Sequence, residues 1–158
     1  MKNKTILFII GSLFILSFLN SCKNKVLYEN TLKIPENIWQ INDTLVFNIN
    51  VPDTINHYNV YIKIKVQDNY LTDNLWLIIN SKSPSGNGLR DLAEFYLTNQ
   101  NGKWYGKKYR HSVSNIFLYK ANILFPEKGI YTFKIRHGMR ENDLPRVSSV
   151  GMRIERVK

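Results

Sequence analysis

Tyr58-Asn59-Val60-Tyr61-Ile62-Lys63-Ile64-Lys65-Val66-Gln67 alternates apolar and polar side chains along its whole length. Successive side chains of an extended strand point to opposite faces, so a period of two builds one apolar face and one solvated face. Tyr58, Val60, Ile62, Ile64 and Val66 form the apolar face, and Lys63 and Lys65 lie opposite. Val and Ile also suit a pleated, half-buried surface. The stretch predicts an amphipathic strand with one face on a core.

The same period recurs outward along the chain. Leu45, Phe47, Ile49 and Val51 alternate with Thr44, Val46, Asn48 and Asn50. Ala93, Phe95 and Leu97, then Tyr131, Phe133 and Ile135, then Val150, Met152 and Ile154 repeat it. Leu75 to Ile79 is apolar throughout, as expected of a central strand covered on both faces. Turn signals separate these runs: Pro52-Asp53, Ser83-Pro84-Ser85-Gly86-Asn87-Gly88 and Pro126-Glu127-Lys128-Gly129. Asn101-Gly102, between Tyr96-Leu97 and Trp104-Tyr105, predicts a type I′ hairpin turn. Past the N-terminal segment, no stretch of a dozen residues keeps a 3.6-residue period. The expected fold is all-β: a single β-sandwich or jelly-roll-like domain over residues 28–158, with about seven to nine antiparallel strands.

Residues 1–22 read MKNKTILFII GSLFILSFLN SC. Lys2 and Lys4 precede an apolar run from Thr5 to Phe18, and Leu19-Asn20-Ser21-Cys22 resembles a bacterial lipobox. The apolar run is shorter than the roughly 20 residues that span a bilayer as a helix. Residues 1–21 are therefore expected to be a cleaved signal peptide, with residues 22–27 as the lipidated N-terminus and a short tether. Cys22, the only cysteine, is the expected lipid attachment point. A diacylglycerol group and an N-acyl chain there would anchor the protein stably, since two chains already suffice. No other cofactor and no metal is expected. No cysteine remains for a disulfide, so the core alone must stabilise the domain. Lys23-Asn24-Lys25 carries neither an Asp next to Cys22 nor an acidic export cluster. The expected location is the cell envelope, on the periplasmic face of the outer membrane.

The formal net charge is +10, and +8 remains once Lys2 and Lys4 leave with the signal. Export argues against nucleic acid as the partner of this basic chain. Its anionic partners in an envelope would be headgroups or acidic protein faces. Much of the charge is compositional, because the chain is rich in Asn, Ile and Lys. Arg136, Arg140, Arg146, Arg153 and Arg156 still stand out near the C-terminus. The planar fork of Arg pairs bidentately with carboxylates or phosphates.

No motif for a catalytic serine, a metalloprotease or a redox dithiol occurs. His57, His111 and His137 are widely spaced and read as isolated surface or half-buried histidines, not as a zinc set. A carboxylate pair such as Asp91 with Glu94 would have to face one bond to hydrolyse a glycoside, and no pattern supports it. Trp104, Tyr105 and Tyr109 are interleaved with Lys103, Lys107, Lys108, Arg110 and His111. Such residues suit a stacking platform for a glycan or a partner-contact surface, while Trp104 equally suits a cap on the core. Asp43-Thr44-Leu45 and Asp53-Thr54-Ile55 resemble a periplasmic O-glycosylation signal at Thr44 and Thr54. Thr44 begins a strand, which would hide it.

The order of several short motifs resembles the GldH gliding-motility lipoproteins of Bacteroidetes. The carrying residues are the lipobox at Cys22, Trp39 before Asp43, Asp68-Asn69-Tyr70 leading into Asn74-Leu75-Trp76-Leu77, and Gly102-Lys103-Trp104-Tyr105-Gly106. Phe125-Pro126 with Gly129-Ile130-Tyr131, Gly138-Met139-Arg140 with Asp143-Leu144, and Val150-Gly151 before Arg153-Ile154-Glu155 complete the set. The resemblance implies a non-enzymatic accessory or scaffold lipoprotein of the gliding machinery, which is tied to type 9 secretion. Its implied partners are other gliding and secretion lipoproteins of the envelope. It implies no catalytic residues. Phe125-Pro126, Gly129 and Tyr131 resemble a tyrosine corner, and Gly151 is expected to permit close backbone approach. Met139 and Arg140, with Tyr109 and Arg110, are the expected partner contacts. The competing reading is an envelope-anchored glycan-binding β-sandwich.

Overall fold

The computed structural model describes residues 25–157. Signal, lipobox and Cys22 lie outside the described residues. Eleven strands follow one another: β1 (Val26–Lys33), β2 (Ile38–Gln40), β3 (Leu45–Val51), β4 (His57–Gln67), β5 (Asn74–Lys82), β6 (Gly88–Tyr96), β7 (Lys107–Tyr109), β8 (Ser112–Leu124), β9 (Gly129–His137), β10 (Asp143–Pro145) and β11 (Val147–Arg156). A five-stranded sheet has the order β1-β11-β4-β8-β7, and a four-stranded sheet has the order β3-β9-β5-β6. The short pair β10-β2 forms a third sheet. Every pairing is antiparallel. The count exceeds the expected range because β2, β7 and β10 have three residues each, too few to display a period. β1 begins at Val26, two residues before the expected start of the domain.

The opening stretch is β4, at the centre of the larger sheet. Tyr58, Val60, Ile62, Ile64 and Val66 are all buried, and Lys63 and Lys65 lie on the outer face. They meet Phe47, Ile49, Leu75, Leu77, Ile79, Phe133 and Ile135 of the opposite sheet. Val150, Met152 and Ile154 of β11 extend the same layer. Leu75 to Ile79 departs from its expected double burial. Leu75, Leu77 and Ile79 face the core, whereas Trp76 and Ile78 are half-buried on the outer face. A two-layer sandwich covers only one face of each sheet, so even a central strand keeps a partly solvated side.

Two further devices join the layers. The Tyr131 hydroxyl accepts a hydrogen bond from Glu127 N at 3.1 Å, which fixes the β8–β9 turn in the manner of a tyrosine corner. The Glu127 carboxylate then accepts from Ser85 N at 2.9 Å and Ser85 Oγ at 2.7 Å, tying the β5–β6 loop to that turn. Asp91 of β6 reaches across to the other sheet and accepts from Tyr119 Oη at 2.9 Å and Lys120 Nζ at 2.7 Å.

The strand registers give the domain two ends. Lys25, His57, Leu124, Gly129 and Arg156 lie at the end where the chain enters from Cys22. Lys33, Gln67, Ser112, Asn74, Tyr96 and His137 lie at the other. Gly151 allows β1 to lie close to β11: a Cβ there would sit 2.5 Å from Thr31 Oγ1 and 2.7 Å from Asn30 O. Gly151→Ala should therefore lower unfolding stability by about 1–3 kcal/mol, the usual cost of overpacking, as measured by urea denaturation of the purified protein.

Candidate functional site

The far end gathers two loops that carry the expected contact residues. The first follows β6. Asn99 and Gly102 close a turn through Gly102 N to Asn99 O at 2.9 Å, and Asn99 N bonds Lys103 O at 2.9 Å. Asn99 Oδ1 also accepts from the N–H groups of Asn101 and Lys103, both at 3.0 Å. Of Asn101 and Gly102, only Gly102 has a positive φ, at 72°. The expected type I′ turn needs two such residues, so the loop is the longer kind that ends in a left-handed glycine. The Asn99 side chain selects it by acting as an additional acceptor.

Beyond this turn, Trp104 bridges Thr98 and packs half-buried against the core, so it caps the sandwich. Tyr105 and Tyr109 remain 65% and 50% exposed. Lys107 Nζ sits 5.2 Å from the centroid of the Tyr109 ring, within cation–π range. Lys108 pairs with Asp68 at 3.2 Å. Arg110 is exposed and holds a left-handed backbone, φ 44°, between β7 and β8.

The second loop follows β9. Gly138 N bonds Trp76 O at 2.7 Å, and the Met139 thioether accepts from Trp76 N at 3.3 Å. Gly138 thus continues the β5–β9 pairing by one residue, and Met139 is half-buried against the core. Its sulfur pins the loop, and Arg140 beside it is exposed and makes no ion pair among the described residues. The other late arginines divide. Arg153 joins Glu29 and Glu155, Arg156 approaches Asp53 at 3.9 Å, and Arg146 donates to Asn69 O at 2.7 Å. Arg136 has no such partner among the described residues.

Beneath the second loop lies His137, 1% exposed, with its ring 5.5 Å from Trp39. Isolated surface or half-buried histidines were expected. His57 and His111 are exposed, but His137 is part of the core. Among the described residues, neither of its ring nitrogens meets full hydrogen-bond geometry with a partner, although the backbone of Asn142 and of Trp39 lies nearby. Burial pushes its pKa below the usual imidazole value; the backbone at Asn142 and Trp39 and the charge of Glu141 oppose this, while Arg136 adds to it.

The remaining sequence candidates are dispersed. Thr44 is exposed in the segment before β3, which corrects the expectation that a strand would hide it, and Thr54 is half-buried. Asp91 and Glu94 stand on opposite faces of β6, since Asp91 pairs beside buried Ile79 and Glu94 beside outward Trp76. They cannot flank one bond. Asp91 is also held below the usual carboxylate range, chiefly by hydrogen bonds from Lys120 and Tyr119. Among the described residues no cluster of His, Cys, Asp and Glu is arranged to hold a metal.

One feature escaped sequence reading. A half-open cleft of about 700 Å³ lies between β6 and β8 near the end where the chain enters. Ile79, Ile123, Phe125 and Phe133 line its interior, and Asp91 and Lys120 stand at its side. Its walls come from strands remote in sequence, so no local pattern marks it.

Fold and surface together define an all-β sandwich protein whose exposed aromatic and arginine side chains are presented by loops at one end. The chain belongs to the GldH lipoprotein family, whose model matches residues 26–154. The gliding motility lipoprotein GldH homolog of Christiangramia forsetii is 30% identical over 151 residues, which is 91% of this chain and 92% of that protein. Gliding motility lipoprotein GldH of Flavobacterium johnsoniae is 28% identical over 142 residues, 85% of this chain and 87% of that protein. A solved family GH115 4-O-methyl-α-glucuronidase superposes on 87% of this chain but on 18% of its own length, with a TM-score of 0.40 and 12% identity. A likeness of that degree carries no argument about function.

The lowered His137 pKa makes stability depend on pH. The unfolded chain protonates this imidazole near pH 6.5, whereas the fold resists its protonation. Stability contributed by neutral His137 is therefore present above about pH 6.5 and declines as the pH falls through the window below it. The denaturation midpoint should drop between pH 7 and pH 5, and His137→Phe should flatten that part of the profile.

Proposed function

We propose that this protein is a non-enzymatic accessory component of the gliding machinery, anchored by lipid on Cys22 to the periplasmic face of the outer membrane and working alongside type 9 secretion. Family membership supports the gliding assignment, since the curated relatives carry that function in their names. The observation that carries the contact role is the division of the molecule into two ends. The N-terminal segment enters at Lys25. Arg140, after β9 of the four-stranded sheet, and Tyr109 and Arg110, at the edge of the five-stranded sheet, lie at the opposite end. A nine-residue strand spans roughly 30 Å, so a partner at the far end does not compete with the anchor.

Arg140 suits this role for physical reasons. The Met139 sulfur immobilises its loop, so little backbone entropy is lost when Arg140 is engaged. An exposed arginine without an acid is free to form a bidentate bond with a carboxylate of another envelope lipoprotein.

Two outcomes test the reading. Cys22→Ser should release the protein from the membrane fraction into the soluble periplasmic fraction; unchanged acylation and attachment would overturn the anchor. In cells expressing the wild-type chain, crosslinking followed by mass spectrometry should recover a gliding lipoprotein as partner. Arg140→Ala should reduce that adduct about tenfold, as expected for a contact worth about 1.4 kcal/mol. A partner adduct that survives Arg140→Ala at full yield would refute the proposed contact.

A further inference from the structure

β6 is an edge strand whose free side is unusually open. Its pairing with β5 runs without a register shift from Gly88 to Tyr96, and its other side pairs with nothing among the described residues. Edge strands usually carry a guard against pairing: a proline, a bulge, short length, an inward unpaired charge or charged side chains along the edge. The edge charges of β6, Arg90 and Glu94, are of opposite sign and so can complement a second copy rather than repel it. β6 has nine residues and no proline. Its inward charge, Asp91, is already neutralised by Lys120. By contrast, the free half of β8 is irregular against β4, and Asn122 there has a φ of 54°. Leu89 and Leu92 of β6 are 78% and 58% exposed.

The outward side chains of β6 form a self-complementary row. Arg90 and Glu94 stand two residues to either side of Leu92. Four residues along a strand separate them by about 13 Å, beyond ion-pair reach of each other. Neither has an ion-pair partner among the described residues; Glu94 accepts only from the neutral groups of Asn74 and Tyr96. An antiparallel second copy, turned about an axis through Leu92, brings each Arg90 opposite the other copy's Glu94. Leu92 then meets Leu92, and Tyr96 lies across Gly88.

We propose that two copies of this chain pair through β6 in this register, fusing two four-stranded sheets into one of eight. The interface is isologous, as a twofold requires. A slip of two residues in either direction breaks both ion pairs, and a slip of four sets like charges opposite each other, so the row fixes the register. The axis runs perpendicular to the sheets. Both N-terminal segments therefore leave the pair at the same level, that of the five-stranded sheet, and both lipid anchors can reach one membrane.

The test uses the full-length lipoprotein in its own membranes. Leu92→Cys should give an adduct of twice the monomer mass under mild oxidation, reversed by reductant. Ile130→Cys, exposed on the same outer face but away from the axis, should not. In the Leu92→Cys background, Arg90→Glu should lower the adduct about tenfold through two like-charge contacts. Adding Glu94→Arg to that variant should restore it, because the swapped charges again face opposite signs. Co-expression of the two single charge variants should also restore the adduct. Absence of the Leu92→Cys adduct, equal crosslinking at Ile130→Cys, or failure of the double swap to restore it would each overturn the proposal.

Discussion

The five buried side chains on one face of β4 impose the constraint from which the architecture follows. Tyr58, Val60, Ile62, Ile64 and Val66 must leave water together, because a strand presents them on a single face. Burying each aliphatic side chain is worth about 1.5–3 kcal/mol, and no disulfide among the described residues supplements it. The lateral neighbours β11 and β8 satisfy the backbone of β4, but they cannot cover its face. Only a second sheet can, and the alternating residues of β3, β5 and β9 provide it. The Asp91 contacts with Tyr119 and Lys120 and the Glu127 contacts with Ser83 and Ser85 fasten the layers where the strands part around the cleft.

The strands with one solvated face were legible because their chemistry alternates. β4, β3 and β9 lie where Val60, Phe47 and Phe133 mark the core face. β1 was not legible, since Glu29, Asn30 and Thr31 interrupt any apolar period on this polar edge. β8 was obscured because its outward positions Ile116, Leu118 and Leu124 are apolar while inward Asn115 is polar, so its chemistry does not alternate. The candidate site was legible only as a list of exposed residue types. That Trp104 caps the core, that Met139 pins a loop and that His137 is buried all depend on contacts between distant segments. Asp91 and Glu94 illustrate the limit most simply: their spacing alone placed them on opposite faces once the segment was known to be a strand.

The outer faces of the two sheets differ in how they handle charge. On the five-stranded sheet, Lys63 meets Glu29 at 2.7 Å, Arg153 links Glu29 to Glu155, and Lys25 meets Glu155 at 3.1 Å. These cations hold both carboxyls below the usual range, with the hydrogen bonds from Lys63 and Lys25 as the largest causes. On the four-stranded sheet, Arg90, Lys134 and Arg136 make no ion pair among the described residues, and the acid of that face, Glu94 opposite Trp76, accepts only from Asn74 and Tyr96. Exposed ion pairs add little stability singly, so the first arrangement is better read as quieting a surface and the second as leaving one available.

The placement of β1 has a mechanical consequence. The described chain passes from Lys25 directly into this strand, which pairs with β11 from Val26 to Lys33. A pull from the membrane along the strand axis would try to slide β1 past β11. Ladder hydrogen bonds lie perpendicular to that direction, so they must yield together. A sideways pull would instead peel them one pair at a time. Glu29 against Arg153 and Lys25 against Glu155 add cross-links within the same seam. Tension applied at Lys25 along the strand axis would therefore meet the domain in shear, the direction in which a short β ribbon resists rupture best.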